Sequence, residues 1–101
     1  MKYEKLVRDR IPEIIKGKGE TPITHIAEME EFQRKLREKL DEEIREFDEK
    51  PSVEELADIV EVLESLAKAH DISWENMLDI KKKKADERGG FSQKIILDEM
   101  T

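Results

Sequence analysis

Two pairs of acidic residues, Glu43-x-x-Glu46 and Glu55-x-x-Asp58, lie within stretches of helical periodicity. Residues three apart share one face of a helix, so each pair points one way. A short turn centred between Lys50 and Pro51 separates the pairs. In a symmetric antiparallel hairpin this turn sets Glu46 opposite Glu55 and Glu43 opposite Asp58. Four carboxylates that converge in a partly desolvated place repel one another and raise each other's pKa values, a penalty that a divalent cation removes. Oxygen ligands without His or Cys select Mg²⁺, Mn²⁺ or Ca²⁺ over Zn²⁺, and Mg²⁺ keeps waters and takes its remaining oxygens from substrate phosphates. The chemistry expected of Glu43, Glu46, Glu55 and Asp58 is therefore metal-assisted chemistry on a nucleoside triphosphate. Glu42 adjoins the set, either as a base working through water, as a supporting residue behind the metal ligands, or as plain surface.

The elements that must position these groups follow from periodicity. Phe32, Leu36, Leu40, Ile44 and Phe47 recur at helical spacing between about Glu28 and Phe47, giving one amphipathic helix. On a helical wheel Glu43 falls about 20° from the line of Leu36, close to the apolar stripe rather than opposite it. Pro51 breaks the helix, and Ser52-Val53-Glu54-Glu55 reads as a capping box that starts a second one, Val53 to about His70. Its apolar residues, from Leu56 to Ala69, cover close to half the circumference, more than one partner helix needs. Packing on two sides is expected, one of them from another subunit.

Shorter elements flank the hairpin. Asp9 is placed to cap a short helix with Pro12 in its first turn, ended by Gly17 and Gly19. Ser73 caps a third long helix from Trp74 to about Glu87, with Met77, Leu78 and Ile80 inward and Gly89-Gly90 as its stop. Residues 23–27 and 94–97 have strand character and could pair as a short two-stranded β ribbon. The expected fold is mainly α, one domain over residues 1–101.

An anionic substrate in an acidic site needs cations besides the metal, and basic residues cluster at Lys5/Arg8/Arg10 and at Lys81–Lys84 with Arg88. Lys84 and Arg88, four apart, could fork onto phosphate oxygens; a solvated lysine run near a helix C-terminus is the plainer reading. Trp74 is better placed for core than for base stacking, and His25 and His70 have no partner at ligand spacing.

Composition narrows the classes. Charged residues make up 45% and hydrophobic ones 37%, so apolar side chains must be gathered on faces and completed by association. A net charge of −7 argues against binding a nucleic-acid polymer, which needs a basic surface. There is no cysteine, which excludes thiolate metal sites and thiol nucleophiles. No apolar run reaches the roughly 20 residues of a membrane span, and the charged start MKYEKLVRDR is unlike a signal peptide, so a cytoplasmic protein is expected.

Glu42-Glu43-x-x-Glu46 followed by Glu55-x-x-Asp58 resembles the EExxE…ExxD signature of the all-α nucleoside triphosphate pyrophosphohydrolases, the MazG-like superfamily. Lys5-Leu6-Val7-Arg8-Asp9-Arg10-Ile11-Pro12 and Arg88-Gly89-Gly90-Phe91 are similar to its phosphoribosyl-ATP pyrophosphohydrolase-like branch, often described as house-cleaning enzymes. The resemblance implies an antiparallel helix bundle completed by oligomerisation, as a homodimer or homotetramer. It also implies Mg²⁺-dependent cleavage of an α,β-phosphoanhydride to a monophosphate and pyrophosphate. Glu43, Glu46, Glu55 and Asp58 carry over as metal ligands, with Mn²⁺ as a substitute ion, and Glu42 and Glu43 stand as catalytic candidates. Lys5, Arg8, Lys84 and Arg88 are the substrate-binding candidates. Asp58 is followed by Ile59-Val60-Glu61 and not by the aromatic-His continuation of the histidine-biosynthesis enzyme, which argues against phosphoribosyl-ATP as substrate. The rival from another class is a non-catalytic helical module that dimerises through residues 56–69, or a regulator that holds metal without turnover.

Overall fold

The computed structural model describes residues 3–101. They fall into two compact units, Met1–Asp71 and Ile72–Thr101. All regular structure among the described residues is helical: α1 (Ile11–Gly17), α2 (Met29–Glu49), α3 (Val53–Ala69) and α4 (Trp74–Arg88). The mainly α expectation therefore holds, and among the described residues no helix is long and apolar enough to cross a membrane.

The first unit is built on the hairpin of α2 and α3, which pack along each other. Most of the stripe read from periodicity turns inward: Leu36 is 2% exposed, and Phe32, Leu40 and Phe47 are half-buried, whereas Ile44 stays 42% exposed. Val62 answers from α3 at 7% exposure, with Ile59 and Leu66 half-buried. Burying a side chain the size of Leu36 contributes roughly 2 kcal/mol. At the open end of the hairpin Gln33 Nε2 donates to the Ala69 carbonyl at 3.3 Å, which ties the start of α2 to the end of α3 and fixes an antiparallel register.

At the closed end, Lys50 is the last residue bonded into α2, its N–H reaching the Glu46 carbonyl. Ser52 then takes an extended backbone and its Oγ accepts from the Glu55 N–H at 3.1 Å. The helix boundary and the second acidic pair thus depend on the same residue. Loss of an N-cap costs about 1 kcal/mol, so Ser52→Ala is expected to lower the melting temperature by roughly 4–8 °C on a domain of this size. Thermal denaturation followed by circular dichroism checks this, and Ser52→Asp should restore most of the loss.

Two local expectations are corrected. The N-cap of α1 is Arg10, not Asp9, and it makes no side-chain cap bond. The chain enters α1 through a turn in which the Ile11 N–H bonds the Arg8 carbonyl at 3.0 Å, so a backbone acceptor takes the donor that an Asp9 cap would compete for. Pro12 does occupy the first turn, and Gly19, at φ +85°, lies just past the end. The β ribbon does not form: residues 23–27 and 94–97 carry no strand, with Ile23 98% and Ile96 78% exposed. Two isolated strands are marginal without a face to bury, and these side chains meet no apolar cover.

In the second unit, α4 starts where Ser73 Oγ accepts from the Asn76 N–H at 3.1 Å and stops at Gly89, whose φ of +82° is open to glycine at little cost. Trp74 and Met77 are half-buried, in keeping with packing roles. Leu78 and Ile80, expected inward, stay about half exposed.

Candidate metal centre

The hairpin register brings Glu43 from α2 together with Glu55 and Asp58 from α3, so that one carboxylate oxygen from each lies within 4.8 Å of the others. Each helix contributes for a local reason. Glu43 shares the inward stripe with Leu36, Glu55 sits in the first turn of α3 directly after its Ser52 cap, and Asp58 lies one turn further on the same face. Two oxygens bound on opposite sides of Mg²⁺ stand about 4 Å apart, so the spread suits one small divalent ion after minor side-chain adjustment.

The electrostatics of this trio are unbalanced. Glu43 is 6% exposed, yet its Oε2 has no hydrogen-bond partner, and neither has the buried Oε2 of Glu55. Burial first, then the neighbouring Glu46 charge, holds the Glu43 carboxyl above the ordinary carboxylate range, with Asp58 adding to the effect. Glu55 is raised likewise, by desolvation and then by Glu46 and Asp58. Lone pairs that are buried, unshared and repelled by like charge are what a cation would satisfy. Glu46, the fourth expected ligand, is exposed and stands outside the trio, near enough that its charge presses on both Glu43 and Glu55.

Positive charge reaches the site from two directions. Lys39, one turn before Glu43, places Nζ 3.1 Å from Glu42 and 3.5 Å from Glu43. The segment before α1 lies across the hairpin: Lys5 Nζ donates to Glu42 at 3.3 Å, Arg8 Nη2 donates to Asp58 at 2.7 Å, and Arg8 Nη1 stands 3.8 Å from Glu61. Lys35 Nζ holds the segment by donating to the Glu4 carbonyl. Desolvation would raise the Glu42 carboxyl, but Lys39 and then Lys5 outweigh it and hold Glu42 below the usual range. The same contacts keep Lys39 charged: burial alone would lower it, and Glu42 and Glu43 raise it.

Arg8, expected to hold substrate, thus rests on Asp58 of the trio itself, and Lys5, expected to do the same, on the adjoining Glu42. Lys84 and Arg88 are exposed on α4 in the second unit, on one face by their spacing. Sequence reasoning missed Lys39 and Glu61. The spacing of Lys39 to Glu42 and Glu43, three and four residues along one helix, was a usable signal for the first; nothing local marks Glu61 as the partner of a residue before α1.

No family model matches the chain, and no solved structure matches it. An uncharacterized protein of Mycolicibacterium smegmatis is 48% identical over 42 residues, which is 42% of this chain and 43% of that protein. The chain therefore aligns with less than half the length of the curated relative it matches.

Proposed function

We propose that the protein is a Mg²⁺-dependent nucleotide pyrophosphohydrolase of the MazG-like kind, cleaving an α,β-phosphoanhydride to a monophosphate and pyrophosphate. The observation that carries the reading is the trio of Glu43, Glu55 and Asp58, with two buried carboxylate oxygens that no protein group satisfies. Glu43, Glu55 and Asp58, with Glu46 at the rim, would hold a divalent ion, which would supply Lewis-acid neutralisation of phosphate oxygens and a water of lowered pKa. Glu42, ion-paired to two lysines and held below the usual carboxylate range, suits anchoring those lysines better than accepting a proton, since a base works best with a pKa near the operating pH. Arg8 and Lys5 are within the same unit: Arg8 carries the charge to meet a phosphate oxygen once a metal takes its partner Asp58, and Lys5 stands beside it on Glu42.

The oligomer proposed is a homodimer or homotetramer in which the face of α3 carrying Leu56, Val60 and Leu63 is covered by a second copy. These residues are 53%, 37% and 38% exposed. That same face favours the rival reading, a non-catalytic dimeric module. A panel of canonical and modified nucleoside triphosphates, assayed for pyrophosphate release with Mg²⁺ and with a chelator, separates the two. Turnover of at least one member that stops with chelator is the expected outcome. Silence across the panel, together with a melting temperature indifferent to Mg²⁺ and Mn²⁺, would leave the dimeric module standing.

A further inference from the structure

We infer that the cleft between the segment before α1 and the outer face of α2 is a diphosphate subsite, holding the β,γ-phosphates of the substrate and then the pyrophosphate product. The inference rests on the proposed activity for its place in the reaction, while the binding chemistry stands on the cleft alone. The cleft measures about 240 Å³ and is walled by Lys5, Lys35, Lys39 and Arg45, with Glu38 and Glu42 among them. Among the described residues four cations against two carboxylates leave the lining a net charge of +2, in a chain whose net charge is −7. Anions are drawn to the place where the sign of the surface is reversed.

Two of the cations are held rather than free. Lys35 and Lys39, four apart on one face of α2, have side chains only 19% and 20% exposed, so their stems are packed and their ammonium groups have little freedom left to lose on binding. Lys39 also joins the cleft to the metal centre, since its Nζ touches both Glu42 on the cleft wall and Glu43 in the trio. A phosphate chain with one end at Glu43, Glu55 and Asp58 therefore finds its nearest held cation at Lys39 and the rest of the cleft beyond.

The lining also says which end of a nucleotide belongs here. A base needs a flat apolar or aromatic wall, and among the described residues Leu6 is the only apolar one in the lining. The volume corresponds to about eight waters at roughly 30 Å³ each, room for a diphosphate. Glu38, about half exposed and 3.3 Å from Lys35, is the partner that a doubly charged phosphate would replace. An exposed ion pair of this kind is worth little, so the exchange is favourable.

Calorimetric titration of inorganic pyrophosphate into the full chain tests the assignment, first with chelator and then with Mg²⁺. Lys35→Gln and Arg45→Gln, each removing one charged contact, are expected to weaken pyrophosphate about tenfold. Arg45→Gln leaves the acidic trio untouched, so its Mn²⁺ binding and melting temperature should not move; Lys35→Gln also gives up the bond to the Glu4 carbonyl and should lower the melting temperature, while Lys83→Gln on α4 should leave pyrophosphate binding as in the parent. Pyrophosphate that fails to bind under either condition, or that binds both variants as tightly as the parent, overturns the subsite and leaves the hydrolase reading to its own assay. If Mn²⁺ does not bind, the metal reading falls, and the chelator titration still decides the cleft.

Discussion

Glu43→Gln is expected to raise the melting temperature of the metal-free protein while abolishing its response to Mg²⁺. The two effects have one cause. The Glu43 carboxylate is 6% exposed, one oxygen is unpartnered, and its environment favours the neutral form despite Lys39 nearby. Glutamine keeps the shape and removes the charge, so the repulsion and desolvation go and the Lys39 contact weakens. The raised pKa says that the net of these terms favours the neutral group, so the metal-free variant should melt above the parent.

With metal the order reverses. Saturating ligand at about 100 times its Kd adds about 2.7 kcal/mol to the parent and little to a variant lacking a buried ligand oxygen. Melting curves of both proteins in chelator and in Mg²⁺ should therefore cross. The pH dependence has a definite sign. A carboxyl whose folded pKa is raised above its unfolded value costs stability while ionised, and that cost disappears as pH falls through the folded pKa. The advantage of Glu43→Gln in chelator should shrink on acidification and vanish once the parent carboxyl is protonated. A variant that is less stable than the parent in chelator, with an unaltered gain from Mg²⁺, would mean that Glu43 is an ordinary structural ion-pair member. Turnover of the most active nucleotide should fall at least a hundredfold in the same variant, a loss of about 2.7 kcal/mol of transition-state stabilisation.

The hairpin and the trio were legible because each depends on short-range rules. A helical stripe ending at Phe47, a proline at position 51 and a serine three residues before Glu55 determine where two helices begin and end. Antiparallel packing then determines which acidic residues face each other. What lay beyond that reach is long-range or marginal. The course of residues 3–10 is irregular, so no periodicity predicts that Arg8 meets Asp58, fifty positions away. The strand character of residues 23–27 and 94–97 was a β-branched composition without a surface to cover, and side-chain preference alone does not make a sheet. Glu46 shares a face with Glu43 as the helix spacing required, and it is the more exposed of the two, its charge acting on both Glu43 and Glu55.

The placement of Arg8 gives the second large effect, an opposite movement of two affinities. Arg8 Nη2 bonds Asp58 at 2.7 Å, so in the metal-free protein it supplies part of the positive charge that the trio demands. Their side chains are 56% and 37% exposed, and an ion pair so open to solvent contributes at most about 1 kcal/mol to stability. Folding should barely register Arg8→Gln. A divalent ion will, because it must either displace the guanidinium from Asp58 or share that carboxylate with it. A unit charge about 5 Å from a divalent ion costs about 1.7 kcal/mol even at the dielectric constant of water, so removing it should tighten Mn²⁺ roughly tenfold. The nucleotide should respond in the other direction. If the guanidinium released from Asp58 turns to a phosphate oxygen, its removal deletes one charge-assisted bond and raises KM by about tenfold or more. Mn²⁺ binding followed by electron paramagnetic resonance, beside KM for the preferred nucleotide, reads both affinities on one variant. Tighter metal with unchanged KM would confine Arg8 to guarding the empty carboxylates, and unchanged metal affinity would show that the ion never competes for Asp58.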